Sequence, residues 1–266
     1  MSGTYPIKKG RFASCFARWC KLGQCYGWLA AVCLLFGTGI CMAQTYSVIG
    51  PQSNNQALLY IPDAVGFDQP VRIVMALHGM RQTPRMICNP LRPIADSLQA
   101  VLICPSGNQF EAGFIRSPLD ERVHFSELLS HFTTLYPVVP RATILVGFSR
   151  GGTYAVETGL MYPQQFPNVV SMFGFYSPFL VNLLPPTHQQ STGLKVTLIT
   201  GQTDTTLIPQ TELATMLQSR GIPINLIQYP TLQHALPPDL LHQLKVIFEQ
   251  DEAWLDGNHP VGDDPQ

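Results

Sequence analysis

The feature that most restricts the fold of this chain is a G-x-S-x-G pattern at residues 147–151. A short apolar run rich in β-branched residues, Thr143 to Val146, precedes it and is typical of a strand buried on both faces. From Gly152 onward, apolar residues recur at three- and four-residue steps, which indicates a helix. A strand must therefore end and a helix must begin within a few residues, with Ser149 at the bend.

Such a bend favours a nucleophilic role for Ser149. A Cβ atom at Gly147 or Gly151 would collide with the neighbouring strand or helix, and the serine takes a strained conformation that holds its hydroxyl clear of its surroundings. The serine also lies near the N-terminus of the helix, where free backbone N–H groups face a developing negative charge. The alternative is a turn serine that only caps the helix.

Length and composition indicate one substantial α/β domain. The chain has 266 residues, of which 45% are hydrophobic and 12% are charged, and this excludes a disordered chain or a coiled coil. All 17 acidic residues follow position 43, so residues 44–266 combine eleven basic and 17 acidic side chains for a net charge of −6. Nothing in that part resembles a basic surface, and we expect no nucleic-acid partner.

Residues 1–43 have the features of an export signal. A basic region is followed by an uncharged apolar stretch, residues 28–42, and small residues then favour cleavage between Ala43 and Gln44. We expect a cleaved signal peptide and a periplasmic or extracellular protein. An uncleaved membrane anchor is the alternative, although the apolar stretch is short for a span of ~20 residues. Contact with a membrane is expected only in that second case.

Cysteine usage agrees with export. Five of the seven cysteines lie in residues 1–43, which leaves only Cys88 and Cys104. An even pair in an oxidising compartment indicates a disulfide, worth about 3 kcal/mol for a loop of this length. The alternative is two separately buried thiols, and sequence spacing cannot decide between them.

Strand-like and helix-like segments alternate along the rest of the chain. This order predicts a mostly parallel sheet covered by helices on both faces. The first helix, residues 84–98, is expected to be interrupted by Asn89, Pro90 and Pro93. Residues 256–266 are rich in Gly, Pro and Asp and are predicted to form a loose tail. The predicted strands cover residues 57–61, 71–77, 100–104, 143–146, 169–175, 194–200 and 224–229, and the later helices residues 120–135, 210–219 and 238–248.

A glycine-containing loop follows the second strand. Gly79 would let the backbone come close to a reacting centre, so that the N–H of Met80 could point at an oxyanion. Together with the N–H of Arg150, this would supply two donors. For the His78 side chain we expect a packed structural role.

Two further strand ends carry a candidate acid and a candidate base. Asp204 follows a buried-type strand and its terminal glycine, where it could hold a histidine in the right tautomer. The alternative is a turn aspartate that bonds to its own backbone. His234 follows the last strand and could take the proton of Ser149, unless it is a loop histidine with structural bonds only.

With these residues in the order Ser149, Asp204, His234, each after a strand, the chain resembles the α/β-hydrolase family over residues 55–250. It looks most like compact secreted esterases related to polyhydroxybutyrate depolymerases, feruloyl esterases and carboxylesterases. Many relatives have a small residue after the serine, where this chain has Arg150. That guanidinium could favour acidic or phosphorylated substrates or pair with a local carboxylate. The supporting segments are residues 76–80, 89–96, 101–105, 147–152 and 201–204.

The resemblance implies an α/β-hydrolase catalytic domain over residues 44–255. It implies a serine esterase that forms an acyl-enzyme, acts on a small-molecule or polymer ester, and needs no metal or organic cofactor. Two alternatives remain open, namely a serine peptidase of the same fold and a non-catalytic binding protein that keeps the scaffold.

Overall fold

The computed structural model describes residues 47–49, 56–66, 69–106, 118–175 and 193–255. All of these residues belong to one compact unit, Thr45–Gln266. The predicted signal segment (residues 1–43) and the predicted tail (residues 256–266) lie outside the described residues.

An eight-stranded sheet organises this unit, with its strands in the spatial order β1-β2-β4-β3-β5-β6-β7-β8. The first two strands are antiparallel to their neighbours, and the strands from β3 to β8 are parallel to one another. The strands are β1 (Ser47–Ile49), β2 (Ala57–Tyr60), β3 (Val71–Leu77), β4 (Ala100–Pro105), β5 (Val138–Phe148), β6 (Asn168–Met172), β7 (Lys195–Gly201) and β8 (Ile224–Tyr229).

Helices cover both faces of the sheet. One hydrophobic cluster joins one sheet face to α2, α3 and α4, and a second cluster joins the other face to α1 and α5. The helices are α1 (Pro84–Leu98), α2 (Pro118–Leu135), α3 (Arg150–Met161), α4 (Leu207–Ser219) and α5 (Leu240–Leu255). The predicted α/β-hydrolase fold, a mostly parallel sheet covered on both faces, is confirmed.

Helix α1 differs from the sequence prediction because it runs without a break through Pro90 and Pro93. An interior proline costs roughly 3 kcal/mol in a helix. Tertiary packing offsets that cost, since one face of α1 is buried and Cys88 on this helix is joined by a disulfide to Cys104 on β4. Of the two alternatives for this cysteine pair, the structure contains the disulfide.

Other differences concern element ends. Strand β5 begins at Val138, earlier than predicted, and a register irregularity separates its first pairing with β3 from the regular ladder. Strand β6 ends at Met172 because Phe173 takes a positive φ of 54°. Among the helices that the structure describes, none is long and apolar enough to cross a membrane.

Candidate active site

The candidate residues gather at one edge of the sheet. Ser149 follows β5, Asp204 follows β7 and His234 follows β8, and these strands run parallel. The loop with Gly79 and Met80 follows β3, which is parallel to β5. The carboxyl ends of all four strands therefore meet at the same edge, where open α/β sheets bind their ligands.

Ser149 occupies a strained bend between β5 and α3. Its φ of 54° and ψ of −120° lie outside the regions that L-residues favour. Two backbone bonds hold it there, because its N–H donates to the carbonyl of Met172 (2.8 Å) and its own carbonyl accepts from Thr153 (3.2 Å). Its side chain makes no capping bond to α3. The strain thus presents the hydroxyl at the sheet edge and leaves it unused by the helix.

Glycines on both sides of Ser149 make this bend possible. A Cβ atom on Gly147 would lie 2.1 Å from the carbonyl oxygen of Gly151, and one on Gly151 would lie 2.3 Å from that of Leu77. A Cβ atom on Gly79 would lie 3.3 Å from the Cβ of Ser149. The backbone after β3 therefore runs directly beside the serine.

The loop after β3 is a tight turn that leaves the Met80 N–H available. Gly79 donates its N–H to Oε1 of Gln82 (2.8 Å), and the Gln82 N–H donates to the carbonyl of Gly79 (3.2 Å). Arg81 takes a positive φ of 59° inside this turn. Neither bond uses the N–H of Met80. The N–H of Arg150, the first residue of α3, likewise has no acceptor within its helix.

His78 is fully buried beneath this loop. Its Nδ1 donates to the carbonyl of Gly79 (2.9 Å). Burial lowers the pKa of the imidazole, against a smaller opposing effect of that bond, so the ring is neutral. These contacts suit the packed structural role expected for this side chain.

Asp204 uses its two carboxylate oxygens differently. Oδ1 accepts from the N–H (2.8 Å) and the hydroxyl (2.6 Å) of Thr206, while Oδ2 lies 3.2 Å from Nδ1 of His234. Partial burial acts to raise the pKa of Asp204, but the bonds from Thr206 and His234 together outweigh it and lower the pKa below its ordinary value. The two sequence alternatives thus coexist, since one oxygen closes a local turn and the other faces the histidine.

His234 packs against two aromatic rings that also contact each other. The ring centroids of Phe148 and Phe173 each lie 5.0 Å from that of the imidazole. The contact with Phe148 is edge-on, and it places the imidazole against the residue that immediately precedes Ser149. Asp204 engages Nδ1, so Nε2 is the nitrogen left for chemistry, and 38% of the His234 side chain is exposed.

The loop that carries His234 is closed at its base. The hydroxyl of Tyr229, at the end of β8, donates to Oδ1 of Asp239, and Nε2 of Gln243 donates to Oδ2 (3.0 Å). Hydrogen bonding from Tyr229 is the main cause of a lowered pKa for Asp239. These bonds join the start and the end of the loop and thereby fix the position from which His234 reaches the sheet edge.

The structure shows a hydrogen bond between the candidate acid and the candidate base. Asp204 and His234 are bonded, but among the described residues there is no hydrogen bond between the hydroxyl of Ser149 and His234. In substrate-free enzymes this bond is often long and tightens only when substrate binds.

The Arg150 guanidinium interacts with the hydroxyl of Tyr154. Burial raises the pKa of that hydroxyl above its ordinary value, and the guanidinium opposes this rise only in part. Within the described ranges Arg150 forms no ion pair with a carboxylate.

Three neighbours of the site were not predicted from the sequence. Phe148 and Phe173 contact the imidazole, and Thr206 holds the carboxylate. The Asp-x-Thr spacing of residues 204–206 was a usable signal, because aspartate commonly bonds to the backbone two residues further on. The positive φ of Phe173 has no comparable sequence signal.

Within the described residues no three His, Cys, Asp or Glu side chains are grouped to hold a metal, and the absence of a cofactor stays a prediction.

The sheet and the helices that cover it define an α/β-hydrolase fold. A model of the Esterase family matches residues 116–259, which is more than half of the chain. The chain therefore belongs to the Esterase family, and the predicted class of enzyme, a hydrolase of carboxylic esters, is confirmed. Comparison with curated protein sequences gives no match.

Solved structures of similar fold carry low sequence identity. Esterase PE8 is 19% identical with a TM-score of 0.60, over 77% of this chain and 99% of that one. A ferulic acid esterase is 15% identical with a TM-score of 0.59, over 77% and 95%. The Staphylococcus aureus protein FphF, described as a fluorophosphonate-binding serine hydrolase, is 11% identical with a TM-score of 0.58, over 77% and 98%. These similarities support the fold, and membership of an esterase family rests on the family model.

Proposed function

We propose that this esterase is an exported serine hydrolase that cleaves carboxylic esters through an acyl-enzyme on Ser149. The observation that carries the proposal is the strained serine at the β5–α3 bend, at the same sheet edge as a histidine that is bonded to an aspartate. The candidate nucleophile, acid and base each follow a different strand of the parallel sheet, and all three lie at the same sheet edge, as in a serine hydrolase triad.

In the proposed reaction, Nε2 of His234 takes the proton of Ser149 as the serine oxygen attacks the ester carbonyl. Asp204 fixes the tautomer of His234 through Nδ1 and stabilises the imidazolium that forms. The N–H groups of Met80 and Arg150 stabilise the oxyanion of the tetrahedral intermediate, a contribution of ~3 kcal/mol for each donor. The imidazolium then protonates the leaving alcohol, and water activated by the same histidine releases the acid.

Steady-state kinetics with p-nitrophenyl esters tests this function. Ser149→Ala and His234→Ala are expected to lower kcat/KM by roughly 10⁴-fold or more, because the triad acts as a unit. His131→Gln, at a histidine on α2 away from the sheet edge, is the matched control and is expected to leave kcat/KM unchanged. Full activity of Ser149→Ala would exclude the proposed nucleophile. Cleavage of matched anilides but not of esters would favour the peptidase alternative instead.

Export is the second part of the proposal. It is supported by the basic and apolar pattern of residues 1–43 and by the disulfide between Cys88 and Cys104, a bond that persists in oxidising compartments. N-terminal sequencing of protein from the culture medium and the periplasm tests it. A mature N-terminus at Gln44 is expected. Full-length protein in the membrane fraction would favour the anchor, and full-length protein in the cytoplasm would contradict export.

A further inference from the structure

A chain of hydroxyl groups lies behind the proposed catalytic acid. Thr206 donates both its N–H and its hydroxyl to Oδ1 of Asp204, at 2.8 Å and 2.6 Å. The hydroxyl of Thr200, on β7, lies 2.8 Å from the hydroxyl of Thr206. Both threonines are fully buried. The acid is thus connected to the interior of the sheet through two side chains that bulk water does not reach.

The direction of these bonds follows from the number of protons. A threonine hydroxyl has one proton, and that of Thr206 is donated to Asp204. In the bond between the two threonines, Thr200 must therefore be the donor. The bonds run in one direction from Thr200 through Thr206 to Asp204, whose other oxygen faces His234. In such a chain each bond polarises the next one and strengthens it.

Thr206 does not use its hydroxyl to cap the helix that it begins. Thr206 is the N-cap residue of α4, a position at which a threonine side chain usually accepts a bond from an N–H of its own helix. Here the side chain makes no such capping bond. The backbone of Thr206 is helical at this position (φ −83°, ψ −7°), and its hydroxyl donates to Asp204 instead.

We propose that Thr206, supported by Thr200, is a positioning residue for the catalytic acid. With Oδ1 held by two donors, the carboxylate cannot turn about its Cβ–Cγ bond, and Oδ2 stays directed at Nδ1 of His234. Without the hydroxyl, only one backbone donor restrains a torsion that is intrinsically broad. This inference rests on the proposed function, because it requires Asp204 and His234 to act on Ser149.

Thr206→Val tests the role of the hydroxyl, since valine keeps the side-chain shape and the backbone N–H. We expect kcat to fall roughly ten- to a hundredfold with little change in KM, as for the loss of a bond to a charged group that acts in the transition state. Thr206→Ser restores the hydroxyl and is expected to recover most of kcat. Thr205→Val, at an exposed threonine in the same turn, is the matched control and is expected to behave as wild type.

A double-mutant cycle tests the role of Thr200. Thr200→Val is expected to lower kcat less than Thr206→Val, because Thr200 acts only through Thr206. The double variant is expected to be no less active than Thr206→Val alone, which is the signature of two residues in one chain. If the two losses of activity simply add, the threonines act separately, and that result would overturn the proposed chain from Thr200 through Thr206 to Asp204.

Controls separate the possible failures. Melting temperature and circular dichroism are measured for every variant. If Thr206→Val does not fold, Thr200→Val is compared with Thr200→Ser instead. In that comparison a lower kcat is expected only for Thr200→Val. A wild-type protein that hydrolyses no ester at Ser149 would refute the proposed function. An active wild type together with an unchanged kcat in Thr206→Val, or in Thr200→Val where Thr206→Val does not fold, would refute the positioning role alone.

Discussion

At the scale of single residues, Gly201 determines how the two loops of the candidate acid and base fit together. A Cβ atom on this glycine would lie 1.8 Å from the carbonyl oxygen of Leu232, in the loop that carries His234. The end of β7 must therefore lack a side chain if that loop is to rest on the turn of Asp204. The bond between Asp204 and His234 depends on this close approach of two backbones.

Gly201→Ala is expected to push the His234 loop away and to break this bond. Because loss of the oriented carboxylate removes a large part of triad catalysis, we expect kcat to fall about a hundredfold or more. Ester hydrolysis with the folded variant measures this. Gly221→Ala is the control, since a Cβ atom there meets nothing within 4 Å although the φ of +76° makes the substitution strained. Equal kcat values for both variants would contradict the proposed fit.

The lowered pKa of Asp204 has a consequence for stability. A carboxyl group whose pKa is lower in the folded than in the unfolded protein stabilises the fold above its unfolded pKa, and this contribution is lost as the pH falls through the folded pKa. The difference in unfolding free energy between wild type and Asp204→Asn is therefore expected to shrink as the pH falls below the ordinary aspartate pKa of about 4. Denaturant unfolding across that range measures it. A difference that stays constant would show that Asp204 does not titrate in this window.

At the scale of elements, the β8–α5 loop depends on the bond between Tyr229 and Asp239. Tyr229→Phe removes the hydroxyl that closes the base of the loop and leaves Gln243 as the side-chain donor to Asp239. We expect a loss of about 2 kcal/mol in unfolding free energy, as for a hydrogen bond to a charged group, and a severalfold lower kcat. Tyr162→Phe, just beyond the end of α3, is the matched control. Unchanged kcat in Tyr229→Phe would show that the loop holds His234 without this bond.

The disulfide joins two elements on one face of the sheet. Reduction of the bond between Cys88 on α1 and Cys104 on β4 releases a loop with a sequence separation of 16 residues. The chain-entropy estimate for such a loop predicts a loss of about 3 kcal/mol in unfolding free energy. Activity of the still folded protein is expected to persist, because the candidate nucleophile, acid and base follow other strands, namely β5, β7 and β8. Equal stability with and without reductant would contradict a stabilising role.

Sequence patterns were sufficient for the elements with strong periodicity. The run Val71–Leu77 and the G-x-S-x-G bend were predicted as they occur, because buried parallel strands read as continuous apolar runs. Helix α1 was predicted as interrupted, since proline propensity is local, whereas the packing and the disulfide that override it are tertiary. The end of β6 was missed for the same reason, because Phe173, with its positive φ, is held by contacts with Ile199 and His234 that are far apart in sequence.

At the scale of the whole molecule, chain order predicted which loops would meet, and side-chain detail could not be predicted. Parallel strands place every strand-to-helix loop at one edge, so the neighbourhood of Ser149, Asp204 and His234 follows from the alternation of elements. The two oxygens of Asp204 bond to different partners, and aromatic rings pack against His234. Both features depend on side-chain rotamers that only the packed structure fixes.

The most direct measurement is the reaction of the mature protein, from Gln44, with a fluorophosphonate probe, followed by peptide mass spectrometry. A single adduct on Ser149 is expected, and it should be lost on heating and in His234→Ala, because only an assembled triad activates the hydroxyl. A folded protein that gains no adduct, or gains it on another residue, would contradict a triad built on Ser149. That result would favour the non-catalytic scaffold.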